Sequence, residues 1–225
     1  MAIAKPFASG SVEESRGAVR VPLLTLALVS AAGFAVVAFL APDRPPTAFD
    51  LDLERAVQAV DWGTLTAVFA WVDWLDGLKQ LALAGLGVLA VAVWNRRGLL
   101  LVVWGVLSGP VYEVLELTVR RPRPDAHLVH VIRHTTGWSF PSGHEIFYTW
   151  FVAYLLLIFG RRLLPRPLYL VSWAVLPAVL AVVALSRVYT GEHWPSDVLA
   201  GLLLGAAWTL FGLSVRRLSD PVLNG

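Results

Sequence analysis

Long apolar runs constrain this chain more than any motif in it. They fall at residues 21–41, 78–94, 98–119, 145–160, 168–185 and 196–215, and short arginine clusters follow several of them. A helix needs about twenty apolar residues to cross the hydrocarbon core of a bilayer. Six such runs predict an all-α, polytopic membrane helix bundle with about six transmembrane helices. Composition agrees: the chain is 57% hydrophobic and only 15% charged, against roughly half and a quarter in soluble domains. Several of the ten Trp residues stand near the ends of the runs, the level that amphipathic aromatics favour. The first run is long enough to span and lacks a small-x-small cleavage site, so it reads as an anchor rather than a cleaved signal peptide.

Arginine placement predicts orientation. Six crossings leave both termini on one side, with Lys5, Arg16, Arg20, Arg96, Arg97, Arg161, Arg162, Arg166, Arg216 and Arg217. That side is expected to be the cytoplasm, and the protein an inner-membrane, multi-pass one. Residues 1–20 then form a cytoplasmic segment, 21–217 one membrane domain, and 218–225 a cytoplasmic tail. The outer side receives an acidic loop at 42–77, a segment at 120–144 and another at 186–197. Within the first loop, the apolar run at 62–72 is too short to span comfortably and reads as interfacial or re-entrant. Arg120, Arg121, Arg123 and Arg133 lie outside, against the charge rule, which suggests that they have a task. A net charge of +2 gives no support for nucleic-acid binding, and the absence of Cys excludes thiol catalysis and thiolate metal sites.

All five histidines lie in or beside the two later outer segments, which two intervening spans return to the same face. Arg120-Arg121-Pro122-Arg123-Pro124 ends the third span; its guanidinium forks suit phosphate oxygens, although a plain basic helix cap has the same composition. Phe140-Pro141-Ser142-Gly143-His144 precedes the fourth span. Gly143 permits a tight turn, amides at a helix N-terminus can cradle an anion, and His144 is placed as a proton donor. The third piece runs from Ser186-Arg187 to His193 and Asp197. A carboxylate accepting from one imidazole nitrogen of His193 leaves the other free to attack, with Arg187 holding a phosphate oxygen. His127, His130 and His134 fit no strong metal template, so neither a metal nor another cofactor is expected.

Together these segments resemble the three signature motifs of the type-2 phosphatidic acid phosphatase superfamily, which also includes vanadium haloperoxidases. Pro-Ser-Gly-His and Ser-Arg-x5-His-x3-Asp match in full and in order, and the resemblance covers residues 98–215. It implies that His193 is the nucleophile, forming a phosphohistidine; that Asp197 orients it; and that His144 protonates the leaving oxygen. Arg121, Arg123, Arg187, Ser142 and Gly143 would bind phosphate. The expected activity is metal-independent hydrolysis of a lipid phosphomonoester or diphosphate at the outer face. In a bacterial membrane the candidates are undecaprenyl diphosphate, phosphatidate and phosphatidylglycerophosphate. Exposed lipid access disfavours a peroxidase. Two other readings stay open: a lipid phosphotransferase using the same phosphohistidine, and a non-catalytic lipid- or anion-binding protein with a decayed site.

One position departs from the family pattern. A Lys is expected seven residues before Arg123, and Glu116 stands there. Either Arg120 replaces the cation, or Glu116 pairs with an arginine, or the substrate carries a positive group. Glu113, Glu116 and Arg120 are therefore candidate modulators.

Overall fold

The computed structural model describes residues 17–41 and 46–224. The expectations attached to residues 1–16 and 42–45 lie outside these. Among the described residues the chain is helical throughout, with a lone antiparallel bridge between Val19 and Val215. The helices are α1 (Val21–Leu40), α2 (Ala48–Gln58), α3 (Leu65–Trp74), α4 (Leu78–Trp94), α5 (Leu99–Val106), α6 (Ser108–Val119), α7 (Gly143–Leu155), α8 (Arg161–Leu163), α9 (Arg166–Ser172), α10 (Val175–Tyr189), α11 (Pro195–Ser214) and α12 (Arg216–Leu223). A 3-10 turn, Arg96–Gly98, leads into α5, and a π turn, Leu156–Gly160, carries α7 into α8.

By length and composition five helical stretches can cross a membrane, and six when α3 and α4 form one bent span. The chain is a multi-pass membrane protein. α1 packs along α11 on one side; apolar on every side, it buries Ala27 alone, and its remaining surface suits hydrocarbon. α7 has the opposite environment. Trp150, Tyr154, Phe147 and Phe151 are buried and form a chain of aromatic contacts, with helices α5, α10 and α11 around them.

Small residues let α7 and α11 approach closely. Gly201 and Gly205, one turn apart on α11, face α7; a Cβ at Gly201 would lie 2.5 Å from the Ser142 carbonyl oxygen. Without a hydrophobic force between helices in lipid, such close backbone packing supplies the cohesion. It also fixes the start of α7, where His144 sits, against the start of α11.

Most of the 62–72 run lies in α3, which meets α4 at 81°, the geometry of a broken span or a re-entrant loop. Gly77 has φ +57° at the bend, and its N–H donates to Asp76 Oδ1 at 2.7 Å. After α11 the chain is helical again, over Arg216–Leu223. α12 folds back, burying Ser219 and Val222, because Arg20 donates to the Leu213 carbonyl at 3.0 Å and pairs with Asp220.

Candidate active site

Three helical segments meet over one guanidinium. Arg121, just after α6, donates from Nη2 to Asp50 Oδ2 of α2 at 2.7 Å and from Nη1 to Asp197 Oδ1 of α11 at 2.5 Å. Nη1 also reaches Ser196 Oγ at 2.6 Å. All three charged side chains are essentially inaccessible. Burial pushes the Arg121 pKa down, but Asp197 and Asp50 outweigh it and hold it above its ordinary value. Burial likewise raises Asp50, and hydrogen bonds from Ser196 with the Arg121 charge more than reverse that. Capping explains how Asp50 arrives there: the Thr47 hydroxyl accepts from the Asp50 N–H and the Asp50 carboxylate accepts from the Thr47 N–H, a reciprocal box at the N-terminus of α2. One turn on, Glu54 is fully buried with no hydrogen-bond partner among the described residues. Burial, with Asp50 and Asp197 nearby, pushes it up to about 8. Arg121 is thus a buried strut; it does not line the cavity where a phosphate would bind.

His193 is oriented differently from the expectation. Its Nδ1 lies 2.7 Å from the Ser139 carbonyl oxygen, which can only accept, so Nδ1 carries the proton and Nε2 the lone pair. Asp197 makes no contact with the imidazole. Its Oδ2 accepts from the Ser139 hydroxyl at 2.5 Å and from the Trp194 N–H at 3.0 Å, while Oδ1 accepts from Arg121. The carboxylate is fully committed to fixing the two segments that carry Ser139 and His193. Burial, reinforced by Arg123 and Arg187, lowers the His193 pKa well below its ordinary value, so the ring is neutral at neutral pH.

A cavity of about 910 Å³ opens beside this ring. Its polar lining includes His193, His144, Arg123, Arg133, Asp76, Glu113, Glu116 and Glu192, and its apolar lining Leu78, Leu81, Ala84, Val106, Ile146, Phe147 and Trp150. Arg123 is aimed by two carbonyls, donating from Nη1 to Glu192 at 2.8 Å and from Nε to Gly137 at 3.3 Å. His144 Nε2 is buried, has no hydrogen-bond partner among the described residues, and lies 3.8 Å from Asp76 Oδ1.

Other expected residues sit elsewhere. Ser142 caps α7 with its N–H donated to the Asp197 carbonyl at 3.0 Å; it is fully buried and not part of the cavity wall. Arg187 is also fully buried, pairing with Asp73 and donating to Glu192 Oε2 at 3.0 Å. Arg120 is exposed, left-handed at φ +51°, and donates from Nε back to the Leu117 carbonyl at 2.8 Å. It does not replace the cation missing at Glu116. Nor does Glu116 pair with an arginine: its Oε1 accepts from the Trp138 N–H at 2.7 Å, and among the described residues no cation lies within salt-bridge distance of it.

Residues outside the expected set complete the site. The α3–α4 bend delivers Asp73 and Asp76 to Arg133, whose Nη2 is 3.1 Å from Asp76 Oδ2. The signals for these were an acidic first loop and an outward arginine that broke the charge rule. Asp50, Glu54 and Ser139 carried no distinguishing signal.

A family model described as the PAP2 superfamily matches residues 97–219, more than half of the chain. The chain belongs to the PAP2 superfamily. An undecaprenyl-diphosphatase of Sulfolobus acidocaldarius is 42% identical over 81 residues, 36% of this chain and 34% of that protein. A putative undecaprenyl-diphosphatase, YbjG, of Escherichia coli is 30% identical over 165 residues, 73% of this chain and 71% of that one. The chain spans 34 to 65% of the length of the first three curated relatives it matches. A transmembrane PAP2-type phosphatidylglycerolphosphate phosphatase from Bacillus subtilis shares the fold, with TM-score 0.61 and 22% identity over 85% of this chain and 92% of that one. Within the PAP2 region lie Arg121, Arg123, His144, His193 and Asp197; Asp50, Glu54, Asp73 and Asp76 precede it.

Proposed function

We propose that this PAP2 protein is a metal-independent lipid phosphate phosphatase working through a phosphohistidine on His193. One observation carries the reading: a neutral histidine with Nδ1 tied to a carbonyl lines a cavity that brings Arg123, Arg133 and His144 together with a set of apolar side chains. A lipid phosphate likewise joins a charged group to an apolar one. Its tail lies along Leu81, Ala84 and Phe147, while its phosphate meets Arg123.

The lone pair of His193 Nε2 attacks phosphorus, and the P–O bond to the lipid breaks. A proton from His144 goes to the leaving lipid oxygen. Water then attacks the phosphohistidine, giving its proton to His144; the P–N bond breaks and its electrons return to Nε2. Arg123 and the amides at the α7 N-terminus face the charge that grows on the phosphoryl oxygens. Asp197 and Arg121 position, rather than touch, the reacting atoms.

The substrate class is a lipid phosphomonoester or diphosphate, as the names of the relatives support. The face bearing Arg20, Arg96, Arg97, Arg161, Arg162, Arg216 and Arg217 is assigned to the cytoplasm, and the active site to the opposite, extracytoplasmic boundary. The test is phosphate release from a panel of lipid phosphates by detergent-purified protein with EDTA, beside His193→Ala. Release that is lost in the variant and indifferent to EDTA supports the reading. Release that persists in the variant rules it out.

A further inference from the structure

The carboxylates of the cavity do not all have the same duty. Asp76 is 3.1 Å from Arg133, and Glu192 is 3.0 Å from Arg187; both are neutralised in place. Glu113 and Glu116 line the same cavity one helical turn apart on α6, and Tyr112, directly before Glu113, lines it with them. Among the described residues neither has a cation within 4 Å. Glu116 is 9% exposed. One of its oxygens accepts from the Trp138 N–H, and the carboxylate also accepts from the Tyr112 hydroxyl. A site that had to hold two phosphates would gain from a cation here and loses from an anion.

We propose that Glu116, with Glu113 and the Tyr112 ring, selects lipid phosphate monoesters that carry an ammonium near the phosphate, and disfavours diphosphates. This rests on the phosphatase reading. The transferred phosphoryl group meets Arg123 and the histidines. The ammonium meets two carboxylates and an aromatic face, the combination that binds desolvated cations. Glu116 is therefore a specificity-determining residue, and its bond to Trp138 fixes it there.

The test compares kcat/KM for sphingosine 1-phosphate, ceramide 1-phosphate and farnesyl diphosphate. The first two share a phosphate monoester on one backbone and differ in a free ammonium against an N-acyl amide with its added chain, a difference in bulk that Glu116→Gln leaves unchanged. The wild type is expected to prefer the ammonium lipid over the amide by about tenfold or more, and to be slowest on the diphosphate. Glu116→Gln still accepts from Trp138 but loses the charge, and should abolish the preference. Glu116→Lys should move it toward the diphosphate. Thermal unfolding of each variant separates misfolding from altered selectivity. Release without discrimination by the wild type, or discrimination unchanged in Glu116→Gln, overturns this proposal and leaves the phosphatase reading intact. Release from none of the three, matched by His193→Ala, overturns both.

Discussion

His193 leans on Ser139, through 2.7 Å between its Nδ1 and the Ser139 carbonyl, and Ser139 leans on Asp197 through its hydroxyl. The carboxylate that the motif spacing assigns to the imidazole acts one residue removed, by holding the backbone that holds the ring. Ser139→Ala keeps the carbonyl but frees it from Asp197. We expect kcat to fall by about tenfold with KM little changed, the cost of about one buried hydrogen bond. Phosphate-release kinetics check this; a large rise in KM instead would assign Ser139 to substrate binding.

Arg121 and Arg123, two residues apart, should fail in different ways. Arg121→Ala strands two buried carboxylates and is expected to cost about 3–5 kcal/mol of stability. Arg123→Ala removes a cavity-facing cation, one held by main-chain carbonyls rather than by carboxylates. It should leave the unfolding temperature nearly unchanged while lowering kcat by about 10²–10³. Thermal unfolding and kinetics on both variants separate the roles.

Pattern made much of this legible. Spans, motif positions and the cavity histidines His144 and His193 follow from apolar run length and from motif order, because both are local or nearly so. The division of labour among the arginines does not. Arg121, Arg123 and Arg187 are equivalent as letters, and only the carboxylates that reach two of them make those structural. Asp50 and Asp73 arrive through a helix cap and an 81° bend, features whose tertiary consequence no spacing encodes. Glu116 was visible as a departure, but its bond to a backbone N–H, rather than to an arginine, depends on how the 120–142 segment folds back over α6.

Glu54 gives a pH signature. In the unfolded chain it releases its proton near 4.5, and in the folded protein near 8. Between those values the folded state binds the extra proton, so its contribution to stability falls as pH rises across the window. Glu54→Gln removes that slope. The unfolding temperature of the variant relative to wild type should therefore climb from pH 5 to pH 8, and a difference independent of pH would refute the assignment.

Activity should have its own acid limb. His193 must be unprotonated to attack, and its pKa is lowered well below the ordinary value of 6.5. Activity is expected to persist below pH 6.5 and to fall only as pH drops through that lowered pKa. A pH–rate profile for kcat/KM tests this.

Gly201 is a packing constraint with a catalytic consequence. An added Cβ would lie 2.5 Å from the Ser142 carbonyl, so Gly201→Ala must push α7 from α11. We expect about 1–3 kcal/mol of destabilisation, with loss of activity exceeding what the lower stability explains, because His144 moves with α7. Activity measured well below the unfolding temperature decides it.

The Asp50–Arg121–Asp197 strut also has a history written in chain order. Its three members lie in segments separated by membrane crossings, so a ribosome delivers them one after another. Until Asp197 has emerged and α11 has inserted, Arg121 has only half its counter-charge and the Ser139 hydroxyl has no carboxylate to donate to. The pocket thus comes into being only with the last hairpin, and a nascent chain cut short before it carries Arg123 and His144 yet has no means of doing chemistry on the lipids around it.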